Sequence, residues 1–474
     1  MSENLKPYPK YKDSGVGWLG QVPEGWEIGR LKDAAAVQTG LTLGKTYKGM
    51  ETQAYPYLRV ANVQHERLDL RDVRYVDVPA DEARGCTLRS GDVLMTEGGD
   101  IDKLGRGCVW YDEVSNCLHQ NHVFAVRCKP AMLLPEFLVA LMSSPHGRTY
   151  FELTAKQTTN LASTNTTTLR AFPVLLPPLN EQVAMMRFLD RVDRRIRRYI
   201  RAKQKLIGLL NEQKQAMILK AVTLGLNPHV RLKPSRVEWL RVVPEHWDIL
   251  RARYLFRETD ERSQTGAETH LSMSQKLGLV PSELVEQRTL ISESYVGGKL
   301  CDKDDLVLNR LKAHLGVFAI AKQAGVVSPD YTVLRPTRPM VVSYYERILR
   351  SPGFRHELRT RAKGIVEGFW RLYTGDFYDI SLPFPPLEEQ RSIVEAIDAQ
   401  IAGFDRLANS TESDIALLRE YRNRLIAQVV TGKLDVRAAA AALPDEPDEP
   451  EDTELLDDDT QTEGEEPEVE PEEA

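Results

Sequence analysis

The chain has 474 residues, 42% of them hydrophobic and 28% charged, proportions that are typical of a globular protein with two or three domains. It contains no apolar run long enough to cross a membrane, and its first residues lack a secretory signal pattern, so we expect a cytoplasmic protein without membrane contact. The five cysteines are too few and too scattered for a disulfide framework.

The formal net charge of -7 conceals two regions of opposite sign. Residues 444–474 contain 17 Asp and Glu and no Lys or Arg, which leaves 62 basic and 52 acidic residues over 1–443, a net charge of +10. A basic body is typical of proteins that bind nucleic acid, although solubility alone also accounts for it. We expect the acidic segment to be disordered, and either to solubilise the chain or to compete with DNA for the basic body.

The first element in chain order is a leading segment with two tryptophans, and it recurs. The first copy comprises Trp18-Leu19, Val22-Pro23-Glu24, Trp26-Glu27-Ile28 and Arg30. The second comprises Trp239-Leu240, Val243-Pro244-Glu245, Trp247-Asp248-Ile249 and Arg251, each offset by 221 positions. Such matching blocks indicate an internal duplication, which is the main organising feature of the sequence.

A variable region follows each leading segment, over 31–176 and 252–384. Both regions contain short strand-like runs broken by Gly and Pro, together with helical stretches over 135–153 and 343–362. The pattern predicts two mixed α/β modules that share one fold.

A Pro-Pro-Leu-x-Glu-Gln block ends each module and opens a long helix, first at Pro177 and again 208 positions later at Pro385. In the first helix, from 180 to 222, the spacing of apolar residues predicts a coiled-coil seam, flawed by Lys203 and Gln213, that contains Leu189, Val192, Ile196, Tyr199, Leu206, Leu210 and Met217. The second helix turns polar at Thr411 and Asp414 but keeps Ile397, Phe404, Leu418, Tyr421 and Leu425 in comparable phases. We expect the helices to pack on each other; the alternative is that each lies on its own module.

Clusters of Arg, Lys, Asn and Gln near turns are candidates for contacts with DNA, because these side chains match the base edges of the major groove. In the first module they are Lys45, Thr46, Tyr47, Lys48, Lys103, Arg106, Gln120, Asn121, His122, Lys156, Gln157 and Thr158. In the second module they are Arg262, Gln264, Gln275, Lys276, Asn309, Arg310, Lys312, His314, Lys363, Trp370 and Arg371. A solvated surface role remains open for each single residue.

The first long helix is strongly basic between residues 187 and 205. It carries Arg187, Arg191, Arg194, Arg195, Arg197, Arg198, Arg201, Lys203 and Lys205 against two acidic residues, Asp190 and Asp193. This charge either grips phosphates or faces an acidic partner, with a merely solvated face as the third alternative.

Two groups of residues resemble nucleotide-binding or metal-binding motifs, but neither has the spacing that its motif requires. Residues 40–46 resemble a phosphate loop but have three residues between the glycines where four are needed. Four residues of metal-ligand type lack the paired spacing of zinc sites, and they are Cys117, His119, His122 and Cys128. We expect neither a metal site nor a catalytic residue.

Together, the duplicated tryptophan blocks, the Pro-Pro-Leu-x-Glu-Gln helix starts and the helix ends at 223–226 and 431–434 resemble type I restriction-modification specificity subunits over nearly all of residues 8–437. The resemblance implies two target-recognition domains, each reading half of a split DNA site, and two long helices in an antiparallel coiled coil with approximate two-fold symmetry. The implied divisions are 1–176 and 227–384 for the target-recognition domains, 177–226 and 385–436 for the helices, and 437–474 for a disordered acidic tail.

The resemblance also implies a non-catalytic subunit that binds double-stranded DNA, two adenine methyltransferase subunits and restriction/translocase subunits. Any S-adenosylmethionine, ATP and Mg²⁺ would then belong to those partners. Two alternatives stay open from the residues alone. One is a coiled-coil assembly protein without DNA readout, and the other is an unrecognised nuclease with Asp304-Asp305 or Glu388-Glu389 as metal ligands.

Overall fold

The computed structural model describes residues 5–99, 101, 104–157, 162–274, 277–285, 295–311, 316–364 and 370–444. The expectation of disorder in the acidic tail falls on 445–474, outside the described residues. Within the described part of the chain, no helix has the length and apolar character needed to cross a membrane. The chain divides into two compact units, Met1–Tyr199 with Leu417–Ala474, and Ile200–Ala416.

The first unit contains the first α/β module. Its strands are β1 (Tyr11–Asp13), β2 (Gln21–Pro23), β3 (Glu27–Arg30), β4 (Ala35–Thr39), β5 (Gln53–Leu58), β6 (Arg74–Val78), β7 (Asp92–Thr96), β8 (Gly98–Gly99), β9 (Gly107–Val109), β10 (Leu118–His119), β11 (Val123–Cys128), β12 (Lys156–Gln157), β13 (Ala162–Ser163) and β14 (Pro173–Leu176). Its short helices are α1 (Leu31–Ala34), α2 (Ala80–Cys86), α3 (Pro135–Ser143), α4 (Pro145–Thr154) and α5 (Thr166–Ala171). The long helix α6 (Leu179–Leu224) begins here.

The second unit contains the second module. Its strands are β15 (Leu232–Pro234), β16 (Val242–Pro244), β17 (Asp248–Arg251), β18 (Phe256–Thr259), β19 (Leu271–Ser274), β20 (Gly278–Pro281), β21 (Lys299–Cys301), β22 (Leu306–Asn309), β23 (Phe318–Ile320), β24 (Gly325–Val327), β25 (Tyr331–Pro336) and β26 (Ser381–Phe384). Its helices are α7 (Val342–Arg350), α8 (Pro352–Arg361), α9 (Thr374–Tyr378) and the start of α10 (Leu387–Val430). A last short helix, α11 (Arg437–Ala441), belongs to the first unit.

Each module is built on an antiparallel central sheet with the same connectivity. The strand order is β4-β11-β7-β9 in the first module and β18-β25-β22-β23 in the second. The central strands are buried almost throughout, as expected for apolar runs sandwiched between layers. A two-stranded pairing then closes each module, with Arg30 opposite Pro173 and Arg251 opposite Ser381. The prediction of mixed α/β modules is confirmed.

A hydrogen-bonded joint ties three separated segments of the first unit together. Trp26 is buried, and its indole Nε1 donates to Glu181 Oε2 at 2.8 Å, at the start of α6. The ring packs on Gly432, just beyond the end of α10. Nearby, the Asp435 amide donates to the Lys6 carbonyl at 2.8 Å. The leading segment, the start of α6 and the chain beyond α10 therefore share one core.

The second unit contains the equivalent joint. Trp247 Nε1 donates to Glu389 Oε2 at 3.0 Å, at the start of α10, and the ring packs on Gly225, just beyond the end of α6. The glutamine of each helix-start block binds backbone as well: Gln182 accepts from the Leu134 amide and Gln390 from the Val341 amide, both at 2.9 Å. The Pro-Pro-Leu-x-Glu-Gln block thus docks a helix onto its module in addition to starting it.

Ion pairs connect the two long helices within each unit. In the second unit Lys203 pairs with Asp414 at 2.8 Å and Lys214 with Asp405 at 2.6 Å, so numbering rises along α6 as it falls along α10, and the helices are antiparallel there. In the first unit Arg422 of α10 pairs with Asp193 of α6. The long helices therefore pack on each other, as expected.

The predicted coiled-coil seam holds only in part. Its positions Leu189, Val192, Ile196, Leu210, Ile397 and Leu425 are buried, and Met217, Phe404, Leu418 and Tyr421 are half-buried. Tyr199 and Leu206, however, are 50% and 41% exposed. Tyr199 lies on the surface of α6 instead, with the Arg195 guanidinium 5.8 Å from its ring centroid. Thr411, which we expected to interrupt the seam, is buried, and its hydroxyl donates to the Leu407 carbonyl.

Two boundaries expected from the sequence also differ in the structure. The long helices are not separate domains, because the compact units each combine one module with parts of both α6 and α10. Residues 437–441, assigned to the tail from their composition, form α11, where Ala440 is buried and Arg437 pairs with Glu181 at 3.1 Å. The fold extends to these residues because the ion pair with Glu181 and the burial of Ala440 attach them to the start of α6.

The joint glycines provide a stability test. Both have positive φ, and a Cβ on Gly432 would lie 2.4 Å from Pro23 Cδ, whereas one on Gly225 would lie 3.3 Å from the Trp247 ring. We expect Gly432→Ala to destabilise its unit by about 1–3 kcal/mol and Gly225→Ala by about 1 kcal/mol, measured by urea unfolding followed by tryptophan fluorescence. The controls are Gly208→Ala and Gly403→Ala, helical positions with open space around them, which should stabilise by about 0.5–1 kcal/mol. Equal effects at all four sites would contradict the joint.

Candidate nucleic-acid interface

The candidate residues of the first module converge on one end of its central sheet. At this end β4 finishes at Thr39, β7 finishes at Thr96, β9 starts at Gly107 and β11 starts at Val123. The adjoining segments carry Lys45, Thr46, Tyr47, Lys48, Arg106, Gln120, Asn121, His122, Lys156 and Gln157. Lys156 and Gln157 reach this end because β12 pairs with β13, which pairs with β8. We call this end the open end of the module.

Several of these side chains have partners within the module. Lys45 Nζ lies 2.6 Å from Glu82 Oε1, and this contact raises the pKa of Lys45 and lowers that of Glu82. His122 Nδ1 lies 2.6 Å from Glu97 Oε2. Thr46, Lys48, Lys156 and Gln157 are exposed. The open end thus presents cations and amides to solvent, with two acidic residues among them.

The second module places its candidates at the equivalent end of the equivalent sheet. Here β18 finishes at Thr259, β22 finishes at Asn309, β23 starts at Phe318 and β25 starts at Tyr331. Arg262, Gln264, Asn309 and Arg310 occupy the adjoining segments, and Lys363 and Arg371 pair across a bridge beside Arg310. Trp370 lies under the guanidinium of Arg359, 5.2 Å from the ring centroid.

The described cations of this second open end are also held by neighbours. Arg262 pairs with Asp260 at 3.0 Å, which lowers the pKa of Asp260, and Lys363 pairs with Asp376 at 2.7 Å. Arg310 Nε donates to the Asp330 carbonyl at 2.8 Å. Exposed ion pairs of this kind contribute only about 0–1 kcal/mol, so a phosphate can replace the carboxylate at little cost. The pairs orient the cations and leave them available to an anion.

The opposite end of each sheet is closed by a buried, bidentate ion pair. Arg127 donates from Nε and a terminal nitrogen to the two oxygens of Asp92, at 2.7 and 2.6 Å. Arg335 grips Asp305 in the same way, at 3.0 and 2.9 Å. The carboxylates are nearly inaccessible, whereas the arginines are about 30% exposed.

These contacts account for the acidic pairs considered as nuclease ligands. Asp305 is clamped by Arg335, and Asp304 lies in the turn before β22 with a φ of 69°. Glu389 accepts from Trp247, and Glu388 pairs with Arg391 at 2.7 Å. Both pairs are structural.

The remaining catalytic signals also have structural roles. Gly40 packs against the His119 carbonyl, and no helix follows in the fully described stretch 41–52, so the loop cannot form a phosphate-binding helix start. Cys117 and Cys128 are buried, where desolvation raises their pKa to about 12, and His119 Nδ1 bonds the Val123 carbonyl at 2.7 Å. Within the described ranges, no group of three or more His, Cys, Asp and Glu side chains is placed to hold a metal ion.

The structure leaves part of the predicted set outside its described residues. These candidates are Lys103, Thr158, Gln275, Lys276, Lys312 and His314. It also adds residues that the sequence did not single out. Glu82, Glu97 and Asp330 orient the cations, and Tyr373, 49% exposed, lies two residues beyond Arg371. The candidates were chosen only because their side chains can bind base edges. The acidic residues that orient them, and an aromatic residue at a helix cap, were therefore not predicted from the sequence.

Carboxylates of α6 and α10 partly neutralise the basic segment of α6. Arg194 Nε donates to Asp190 at 3.0 Å, Arg197 pairs with Asp193 at 2.7 Å, and Lys203 pairs with Asp414 of α10. Arg198 and Lys205 are exposed. The segment therefore contributes to helix pairing as well as to surface charge.

Comparison with known proteins agrees with this architecture. Residues 23–206 match the family model described as type I restriction modification DNA specificity domain. The chain is 24% identical to the putative type I restriction enzyme MjaX specificity subunit of Methanocaldococcus jannaschii, over 88% of this chain and 96% of that protein. It is 26% identical to the type I restriction enzyme EcoKI specificity subunit of Escherichia coli, over 33% and 34% of the two chains. The fold is shared by a chain of a solved structure that is described as the structural basis of complex assembly and conformational transition of the type I R-M system. The TM-score is 0.63 at 16% identity, over 87% of this chain and 99% of that one.

The two modules share one sheet connectivity and define a tandem-repeat protein, and the family-model match of residues 23–206 indicates the DNA-binding class. More narrowly, residues 23–206 match the type I restriction modification DNA specificity domain, and the chain is similar over most of its length to a type I restriction enzyme specificity subunit. Specificity subunits of this kind are generally non-catalytic.

The clamp at the closed end allows a direct test. Asp92→Asn leaves Arg127 without a charged partner for its buried side, so we expect a loss of about 1–3 kcal/mol in the free energy of unfolding, reduced from a fully buried pair by the partial exposure of Arg127. Asp330→Asn breaks an exposed pair with Arg371 at the open end and should cost less than about 0.5 kcal/mol in the same urea titration. Similar losses for the two variants would show that burial does not distinguish these ends.

Proposed function

We propose that each module reads one half of a split DNA site through its open end. The observation that carries this proposal is the shared geometry of the two open ends, where the same four strand termini bring Arg, Lys, Asn and Gln side chains together. Arginine and lysine can bind guanine O6 and N7, and asparagine and glutamine can bind adenine N6 and N7. The residues differ between the modules while the frame does not, so the two half-sites differ in sequence.

The long helices set the distance between the half-sites in this proposal and form the surface on which other subunits assemble. Each unit combines one module, the start of one long helix and the end of the other, so the two units offer equivalent surfaces to two copies of a partner. The partners we propose are two adenine methyltransferase subunits, which restriction/translocase subunits join. The methyl donor, ATP and Mg²⁺ then belong to the partners, and this chain supplies recognition.

The half-site assignment is tested by changing one open end at a time. Lys156→Ala with Gln157→Ala should weaken recognition of one half-site about 10-fold or more, and Gln264→Ala should affect only the other, because each contact with a base is worth about 1–3 kcal/mol. The measurement is methylation mapping of DNA from cells that carry each variant with the partner subunits.

A matched control for this experiment is Lys32→Ala, an exposed lysine of α1 at the closed end of the first sheet. It should leave the methylated sequence unchanged. If the two open-end variants altered the same half-site, or if Lys32→Ala acted as they do, the assignment of one half-site to each open end would be wrong.

The spacing role is tested by lengthening the paired helices. One heptad inserted in α6 between Lys203 and Lys214, with one inserted in α10 between Asp405 and Asp414, keeps the ion pairs in register and adds about 10.5 Å. We expect the gap in the methylated sequence to grow by about three base pairs, at roughly 3.4 Å each.

The control is the same heptad in α6 alone, which shifts Lys214 out of register with Asp405. It should abolish assembly and methylation. A paired insertion that supports methylation with an unchanged gap would overturn the spacing role while leaving half-site reading intact.

A further inference from the structure

A short hairpin of the first module, residues 63–68, connects the open end to the long helices of the same unit. Val63 and Leu68 bridge its two arms. At its tip, the Glu66 amide donates to the Gly107 carbonyl at 3.2 Å, where β9 starts. The start of β9 is one of the strand termini that form the open end, so the hairpin is attached to that end through its backbone.

The Glu66 carboxylate lies between cations of both long helices. Its Oε2 accepts from Arg422 Nη2 of α10 at 2.6 Å and lies 3.6 Å from Arg197 Nη2 of α6. Asp193 of α6 completes the network, because it accepts from Arg422 Nε and, at 2.7 Å, from Arg197 Nε. The side chains of Arg422 and Glu66 are only 18% and 28% exposed, so salt screens this pair less than it screens an ion pair at the surface.

Glu66 keeps this position in a backbone conformation that favours glycine. Its φ is 60°, in the left-handed region that residues with a side chain seldom adopt. Such a conformation persists where surrounding contacts fix it. The backbone bond to Gly107 and the side-chain bond to Arg422 are contacts of this kind, one made by the module and the other by a long helix. The geometry of the hairpin tip therefore depends on the helices as well as on the module.

The equivalent helix positions of the second unit carry a different charge pattern. At the offset of 208 positions between the two long helices, Arg422 corresponds to Lys214 and Arg197 to Asp405. Lys214 and Asp405 pair with each other at 2.6 Å, so there the helices supply both the cation and its carboxylate. In the first unit both positions are arginines, and the module supplies a carboxylate through Glu66. The charges of the helices at this place thus match the first module.

We propose that Glu66 and Arg422 are positioning residues, which hold the open end of the first module in a fixed place on the long helices of its unit. Neither residue has to touch DNA. Recognition of the first half-site depends on them because a side chain that binds a base must be held within about 0.5 Å of its productive place. This consequence rests on the proposed half-site reading, whereas the attachment itself is measurable without DNA.

Hydrogen exchange of the full chain, followed by mass spectrometry, tests the attachment. Glu66→Gln keeps the size of the side chain and removes its charge, so we expect the backbone amides of residues 63–69 to exchange about tenfold faster. The matched control is Glu152→Gln, an exposed glutamate of α4 in the same module, which should leave that exchange unchanged. Unchanged exchange in Glu66→Gln, or faster exchange throughout the chain, would overturn a local attachment.

A second variant separates the attachment from the pairing of the helices. Arg197→Asp places on α6 the residue type that the second unit has at the equivalent position, so Arg422 keeps carboxylate partners on α6. The new carboxylate also repels Glu66, which Arg197 now attracts. We expect the same gain in exchange at residues 63–69, about tenfold, while α6 and α10 remain protected. Slow exchange in this variant would show that the hairpin does not need the arginines of the helices, and the proposal would be wrong.

Methylation mapping tests the consequence for recognition. Glu66→Gln should lower discrimination against single-base changes about tenfold, and only in the half-site that Lys156→Ala with Gln157→Ala affects. A variant that had merely lost stability would be methylated less at every site, with the same sequence preference. If the open-end variant alters its half-site and Glu66→Gln does not, the positioning role is wrong and half-site reading stands. If neither alters it, half-site reading fails and the positioning role fails with it.

Discussion

The hydrogen bond between a buried tryptophan and the glutamate at a helix start is the contact on which the rest of this structure depends. Trp26 with Glu181, and Trp247 with Glu389, each join segments that are more than 140 residues apart. Burying a carboxylate without a hydrogen-bond donor costs free energy, and so does burying an indole N–H without an acceptor. Each group supplies the partner that the other needs. The same ring leaves room only for a glycine from the other long helix. One contact therefore fixes a module, the direction of its own helix and the end of the second helix.

That fixed frame explains how the two modules differ in their binding residues while keeping one geometry. The strands whose termini form the open ends are connected in the same order in both modules. An Asp–Arg clamp closes the opposite end of each sheet. The clamp and the joint involve none of the candidate side chains at the open ends, so these contacts do not depend on them. Several of the candidates are exposed or held by weak surface ion pairs, an arrangement that permits substitution without loss of the fold.

The sequence predicted the features that repeat or are local. The duplication, the two mixed modules and the long helices were visible in motif spacing, and the helix estimates of 180–222 and 385–436 lie close to Leu179–Leu224 and Leu387–Val430. The sequence did not predict which strands pair, because the termini that meet at the open end are brought together by contacts between distant segments. The exposure of Tyr199 and Leu206 was missed because a heptad count gives the phase of a residue on its helix and not whether a partner covers it there. Glu181 and Glu389 belong to a motif that we interpreted only as a helix start, so their hydrogen bonds with the two tryptophans were not predicted.

The backbone bond between Asp435 and Lys6 carries a consequence for chain order. In the first unit, the leading segment and the chain just beyond α10 meet there, next to the hairpin of β1 and β2. In the second unit, the equivalent hairpin of β15 and β16 follows α6 through a continuous peptide, residues 225–231. The equivalent hairpin is thus reached through a backbone hydrogen bond in one unit and through a peptide link in the other. Neither tryptophan–glutamate bond involves residues 226–231, so the joint of each unit is independent of that link.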